Sequence, residues 1–445
     1  MYLAYSLLTL VAFLVASPYF VYQALRHKKY VGSLGQRLGH LPITLNVDGE
    51  PSIWIHAVSV GEALTVRALI ADLKARYPRH RLFLSTTTMA GQQVARRNLQ
   101  QLDAVFYFPF DWAFIVRRTL KIVNPSLFVM VETEIWPNLL RVCRARGVKT
   151  VMINGRISSR SYPRYRLVRP FFRRVLGDVD RFCIQSDESA RLLINLGAES
   201  SRVTVTGSLK FDSLELPVPF AHGKARERVL RFFRVPSTRV ILVAGSTMRG
   251  EEAAILRAFA RLKVSAPGAL LILAPRHPER FSEVIELARG SGRTTLRRSD
   301  LPIDAEPRAD IVVLDTIGEL AQLYQLATVA FVGGSLTDHG GHNILEPAVF
   351  GKPIVFGPHM RNFKEIAEAF VSNGAAVQVH SERELEETLL TLVTDPVRQA
   401  RLGAAARALV EANRGAKDKT LAVLVELLPL PAAARGNVRP FRRTH

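Results

Sequence analysis

Along most of the chain, short apolar runs alternate with longer stretches in which apolar residues recur every third or fourth position. "SIWIHAV", "RLFLSTT", "SLFVMVE", "KTVMING" and "DRFCIQS" come first; "RVILVAG", "ALLILAP", "DIVVLDT", "ATVAFVGG" and "KPIVFG" follow. Nearly continuous apolar runs predict parallel strands covered on both faces. Between them, residues 62–76 place Ala63, Val66, Leu69, Ile70 and Leu73 on one helical stripe. The alternation predicts an α/β fold of βα units in doubly wound sheets. The proline-bearing stretch "SLELPVPFAHGKA" (residues 213–225) separates two sets of units. It sets the predicted domains at 31–213 and 214–430, with 431–445 a basic tail. No repeat with a period of 20–50 residues is present.

The N-terminus has a different pattern. Residues 2–25 carry no charge, and Arg26, His27, Lys28 and Lys29 follow at once. Such a run is long enough to cross a hydrocarbon core of about 30 Å. A secretory signal would put the basic residues first. Residues 1–30 are therefore expected to form a membrane anchor or an interfacial helix. The basic flank would keep the rest of the chain on the cytoplasmic face.

Composition narrows the partners. A length of 445 residues suits two domains, and 48% apolar residues exclude a disordered chain. Lys and Arg outnumber Asp and Glu by 60 to 39, a formal charge of +21. That favours an anionic partner: lipid, phosphorylated substrate or nucleic acid. Two cysteines in no ligand spacing argue against a zinc site or a disulfide framework.

Ligands of open α/β sheets bind beyond the C-terminal ends of strands. Polar and glycine-rich sequence falls repeatedly at that position: Ser59-Val60-Gly61-Glu62, Glu132-Thr133-Glu134, Asn154-Gly155-Arg156, Gly245-Ser246-Thr247, Pro275-Arg276-His277 and "GGSLTDHGGHNILEPAVFGKP". On its own stretch, Glu62 suits the first turn of a helix, where an acid is favoured by about 0.3–1 kcal/mol. In the last loop, Gly333, Gly334, Gly340 and Gly341 are expected to allow close approach of a ligand. A helix beginning near Asn343 would receive a phosphate. This is neither a GxGxxG fingerprint nor a Walker loop.

Taken together, "GSLGQRLG", "WIHAVSVGE", "VETEIWPNLL", "NGRIS", "GSLKFD", "GSTMRGEE", "APRHPER", "DTIGEL" and "GGHNILEPAVFGKPIVFGPHMRNF" run in order from residue 32 to 363. In these stretches the chain resembles the 3-deoxy-D-manno-oct-2-ulosonic acid (Kdo) transferases of Gram-negative bacteria. The resemblance implies a glycosyltransferase-B fold with two Rossmann-like domains facing a cleft at the inner membrane. It implies CMP-Kdo as donor, the lipid A precursor lipid IVA as acceptor, and inversion at the anomeric centre.

Residue by residue, the resemblance makes Glu62 the proton acceptor, kept ionised by its helix N-terminus. Glu132 and Lys210 become transition-state stabilisers, with Glu134 a nearby competitor for the role of Glu132. Pro275, Arg276, Ile317, Gly318, Glu319, Asn343, Ile344, Leu345 and Glu346 become the CMP contacts. No metal and no cofactor are expected. His277, His339 and His342 cluster in the same loops without an assigned duty.

"GRISSRSYPRYRLVRPFFRR" sets seven arginines among aromatic and aliphatic residues. Arg156, Arg160, Arg164, Arg166 and Arg169 are assigned to the acceptor and an anionic membrane surface, not to nucleic acid, although an RNA-binding face has the same composition. Two alternatives stand beside this assignment. One is another membrane-associated glycosyltransferase-B enzyme using a UDP-sugar. The other is a noncatalytic protein that binds anionic lipid on this fold.

Overall fold

A computed structural model describes residues 1–27, 31–157, 161–212, 238–301 and 306–429. Arg160, the stretch 213–225 and the tail 431–445 lie outside the described residues, as do Lys28 and Lys29. The chain divides into two compact units, Met1–Ser213 with Arg414–His445, and Leu214–Asn413.

The first unit is built on β1 (Ser52–His56), β2 (Arg81–Thr86), β3 (Ala104–Tyr107), β4 (Pro125–Val131), β5 (Lys149–Gly155), β6 (Arg181–Ile184) and β7 (Val203–Val205). They form one parallel sheet in the order β3-β2-β1-β4-β5-β6-β7. Successive side chains of a strand point to opposite faces. Trp54, Phe83, Phe128 and Phe182 therefore build the core on one side of the sheet, and Ile53, Ile55, Leu82, Leu84 and Val129 the core on the other. Both faces are buried, which is why these strands read as unbroken apolar runs.

The second unit repeats the plan with β8 (Ile241–Thr247), β9 (Leu270–Pro275), β10 (Thr295–Arg297), β11 (Ile311–Val313), β12 (Val329–Val332), β13 (Ile354–Phe356) and β14 (Val377–Gln378). Its parallel order is β10-β11-β9-β8-β12-β13-β14. In the first sheet, strand order reverses between β1 and β4. In the second it reverses between β8 and β12. Such switch points open a crevice at the strand ends, where doubly wound folds bind ligands.

Three expectations differ from the structure. Ten strands were legible as apolar runs; β3, β7, β10 and β14 were not, and they are the four sheet edges. The sequence boundary assigned 214–430 to the second domain, yet the helix Ala416–Leu427 packs on the first unit. The Asp212 carboxylate accepts from Gly415 N at 3.0 Å and Lys417 N at 2.6 Å, Lys417 pairs with Asp72 at 2.6 Å, and Arg181 pairs with Glu426 at 2.7 Å.

The third concerns the N-terminal helix, Tyr2–His27. Among the described residues no helix is long and apolar enough to cross a membrane. The first half of Tyr2–His27 instead lies along the first unit. The Tyr2 hydroxyl donates to Asp178, Tyr5 stacks on Phe171 at 5.8 Å, and Phe13 meets Phe110 and Trp112, each at 5.2 Å. Trp112 Nε1 donates to the Thr9 hydroxyl at 3.2 Å. The spacing of Tyr2, Tyr5, Thr9 and Phe13 makes one helical face. Leu3, Leu7, Leu8, Val11, Leu14 and Val15 are exposed.

Candidate active site

In the first unit, β1 ends at His56 and the chain turns into the helix Val60–Thr65. Ser59 caps that helix. Its hydroxyl accepts from Glu62 N at 3.4 Å and donates to Glu62 Oε1 at 2.8 Å, while Val58 N donates to Glu62 Oε2 at 2.7 Å. This is a capping box, in which the third helical residue reaches back to the chain before the helix. The structural role that the isolated stretch suggested is thus present. Gly61 takes no left-handed conformation, so no tight turn depends on it.

Burial raises the pKa of Glu62. The Val58 and Ser59 donors oppose that shift, the nearby Glu132 charge adds to it, and Lys210 lowers it. Desolvation outweighs the two donors and Lys210. The outcome is a more basic carboxylate.

Glu132 follows β4 with φ of 59°. A non-glycine residue in the left-handed region costs of order 1 kcal/mol or more, and such strain gathers at functional sites. The bond from Glu132 N to Ile153 O, 2.9 Å, fixes this conformation against β5. Two cations meet its carboxylate: Arg156 Nε at 3.6 Å and Lys210 Nζ at 3.8 Å. Arg156 was expected on the basic acceptor face with Arg164, Arg166 and Arg169. Arg156 lies at the Glu132 carboxylate, and those three are exposed on the helices Tyr162–Leu167 and Arg169–Leu176.

Asn154 was part of a quoted loop but carried no assigned role. It is fully buried with φ of 53°, and its Oδ1 accepts from Leu209 N at 3.0 Å. It thereby fixes the backbone next to Lys210. Asparagine tolerates the left-handed region better than most residues, and that was the available clue.

In the second unit, the loop after β12 folds over the end of β8. A Cβ on Gly333 would lie 2.5 Å from Ser246 O, and one on Gly334, at φ of 65°, 2.7 Å from the His342 ring. The chain's own atoms leave no room for a Cβ at either glycine. Beneath the loop sits Glu251, fully buried. Its carboxylate accepts from Met248 N at 2.9 Å, Gly334 N at 2.7 Å, Ser335 N at 2.9 Å and Leu336 N at 2.8 Å. Nothing in the run "GSTMRGEE" distinguishes Glu251 from an ordinary first-turn helix acid.

Arg276 leaves β9 through a backbone bond to Thr247 O at 3.0 Å. Its charge reaches Glu346 and His342. Burial raises the Glu346 pKa, opposed by the Asn343 amide, which donates to Oε1 at 3.3 Å, and by Arg276. Burial first, and then Arg276 with His277 and His339, lowers His342 to about 4, so its ring is neutral at pH 7. The three predicted histidines are thus neighbours.

Asn343 Oδ1 accepts from Leu345 N at 3.1 Å, where the short helix Leu345–Val349 begins. Glu319 is held by Arg298 at 3.0 Å and by the Thr316 hydroxyl at 2.6 Å, next to Gly318 at φ of 92°. Ile317 beside them is 81% exposed. An apolar side chain held out at a strand-end loop suits contact with a planar ring. Among the described residues, no group of three or more His, Cys, Asp or Glu is arranged to hold a metal ion.

Residues 32–213 match the family described as 3-deoxy-D-manno-octulosonic-acid transferase (kdotransferase), and residues 254–409 match glycosyl transferases group 1. The chain is 32% identical over 380 residues to the 3-deoxy-D-manno-octulosonic acid transferase of Haemophilus influenzae, covering 84% of this chain and 86% of that protein. It is 34% identical over 386 residues to the protein of the same name from Bordetella pertussis, covering 84% and 87%. A solved glycosyltransferase from Rickettsia africae aligns at 14% identity over 86% of this chain and all of that one, with a TM-score of 0.52, a likeness of fold alone. The two parallel seven-stranded sheets are those of the glycosyltransferase-B fold, and the chain belongs to the 3-deoxy-D-manno-octulosonic acid transferase family of glycosyltransferases.

Proposed function

We propose that this enzyme transfers Kdo from CMP-Kdo to the lipid A precursor lipid IVA, with inversion, in lipopolysaccharide synthesis. The observation that carries the reading is Glu62: a carboxylate made more basic by burial, at the β1/β4 switch point, in a chain of this family. In one displacement the acceptor oxygen bonds to the anomeric carbon as the bond to the CMP phosphate breaks. The electron pair leaves on the phosphate, and the hydroxyl proton passes to Glu62. Lys210 offers positive charge to the anionic groups. Glu132 acts by fixing Lys210 and Arg156. In the second unit, Arg276, Ile317 to Glu319 and Asn343 to Glu346 are assigned to CMP.

The test is incubation with CMP-Kdo, generated in situ, and the tetraacylated lipid acceptor, followed by mass spectrometry. Kdo-mass additions with release of CMP are expected, and their number counts the units transferred. Turnover with UDP-sugars and none with CMP-Kdo would remove the reading. Activity is expected to persist in EDTA, because Arg276 and Lys210 can answer the phosphate and carboxylate charges. Loss on chelation, restored by added Mg²⁺, would place a metal in the reaction.

The same reading places the protein on the cytoplasmic face of the inner membrane, with Tyr2–His27 as an interfacial helix. Support comes from its exposed row of Leu3, Leu7, Leu8, Val11, Leu14 and Val15, and from exposed Leu167, Arg164, Arg166 and Arg169 on helices that continue to its contact residue Phe171. Basic residues near an anionic surface contribute about 1 kcal/mol each and are screened by salt. Replacing Arg164, Arg166 and Arg169 with Ser is expected to weaken sedimentation with phosphatidylglycerol vesicles by about 10- to 100-fold at low salt. It should raise KM for the lipid acceptor more than KM for CMP-Kdo. Unchanged vesicle binding would make these arginines an ordinary solvated face.

A further inference from the structure

His56 is fully buried at the end of β1, stacked on Phe108 with ring centroids 3.8 Å apart. Its Nδ1 lies 3.1 Å from the backbone oxygen of Ser85 and 3.0 Å from the Ser85 hydroxyl. A carbonyl oxygen can only accept, which favours the tautomer with the ring proton on Nδ1. The Ser85 hydroxyl oxygen is also approached by Trp54 Nε1 at 2.8 Å. Burial lowers His56 to about 3, so the ring is neutral. Its Nε2 is then a bare lone pair, buried and without a hydrogen-bond partner among the described residues. The group facing it is Glu134, with Oε2 at 3.9 Å.

An ionised Glu134 would set lone pairs against a lone pair. An undissociated Glu134 would present the complementary O–H. Charge balance agrees: Glu62 and Glu132 are answered by Lys210 and Arg156, and among the described residues no lysine or arginine is paired with the third carboxylate, Glu134.

We propose that Glu134 is a positioning residue that works as the neutral carboxylic acid, its proton directed at His56 Nε2, so that Glu62 is the one carboxylate of the site free to take a proton. This rests on the transfer reaction proposed above. The titratable groups that face Glu134 are His56 from β1, Glu62 from the helix Val60–Thr65 and Glu132 from its own loop, and the Trp136 indole N–H also faces it. Burial first, and then Glu62 and Glu132, raise the Glu134 carboxyl to about 7 against the Trp136 indole, which lowers it. Glu62 must be ionised and Glu134 protonated. The competent fraction therefore grows as pH rises through the Glu62 titration and falls as pH rises through that of Glu134. The two carboxyls interact, so the limbs belong to the pair.

The experiment is kcat/KM for Kdo transfer between about pH 4 and pH 9 in the full-length protein and in Glu134→Gln. A bell is expected for the parent. Glu134→Gln, a neutral group with N–H donors, is expected to stay within about fivefold of the parent near the optimum and to lose the alkaline fall. A loss at every pH in a folded Glu134→Gln, or an unchanged alkaline limb, would overturn the proposal. An independent readout uses ¹⁵N-histidine NMR of the resting parent protein. A neutral Nδ1–H tautomer is expected at His56, and an Nε2–H tautomer or an imidazolium would overturn the proposal even if the variant fails to fold. Absence of any Kdo transfer by the parent would instead refute the reaction, and the histidine spectrum separates the two failures.

Discussion

Glu62→Gln is expected to fold as the parent does and to lose transfer by about 10²–10⁴-fold, the usual range for an essential base. The substitution separates two roles that the structure superimposes. As a capping residue, Glu62 bonds Ser59 and Val58, and a glutamine can reproduce much of that arrangement. As a base, it needs a carboxylate, which glutamine lacks. Glu62→Ala removes both roles and should cost a further ~1 kcal/mol of stability, typical of a lost cap. The measurements are single-turnover Kdo transfer and a thermal melt on both variants. Near-parental turnover in Glu62→Gln would reduce Glu62 to a cap.

Glu251→Ala is expected to have the largest effect on stability. It removes the acceptor of five backbone N–H groups, four of them in the loop after β12. Each unsatisfied buried donor costs about 1–3 kcal/mol, and the sum is reduced where water or chain movement replaces the carboxylate. A net loss of roughly 4 kcal/mol is reasonable. For a unit of this size that lowers Tm by roughly 10 °C. The fall should appear in the calorimetric transition of the second unit and leave that of the first in place. Glu251→Gln keeps one acceptor oxygen and should lose less. A melt for Glu251→Ala within ~2 °C of the parent would show that the loop finds other partners.

What the sequence disclosed follows from what each residue packs against. Interior strands such as β4 and β9 are covered on both faces and flanked on both sides, so nearly every position is apolar. The edges β3, β7, β10 and β14 have one open flank and two to four residues each. Too little side-chain surface is buried there to stamp a period on the sequence.

At the site, Glu62 and Glu132 were legible on strand-end loops, Lys210 came from the family resemblance, and the structure brings those three together. Arg156 was grouped with the exposed arginines because composition alone cannot show which way a side chain faces. The left-handed turn at Glu132 was illegible because glutamate carries no preference for it. His56, inside "SIWIH", looked like any strand residue. Its importance comes from Ser85 on a neighbouring strand, a pairing set by register and not by spacing along the chain.

The return of the helix Ala416–Leu427 to the first unit has a consequence for the order of synthesis. The residues it covers, among them Asp72, Asp212 and Arg181, leave the ribosome between 205 and 345 residues before their partners. Domains of growing chains tend to fold from the N-terminus as units. Here the earlier unit is begun first and completed last, after the whole of the later one has been made. Until then, one flank of its apolar core waits uncovered inside the cell.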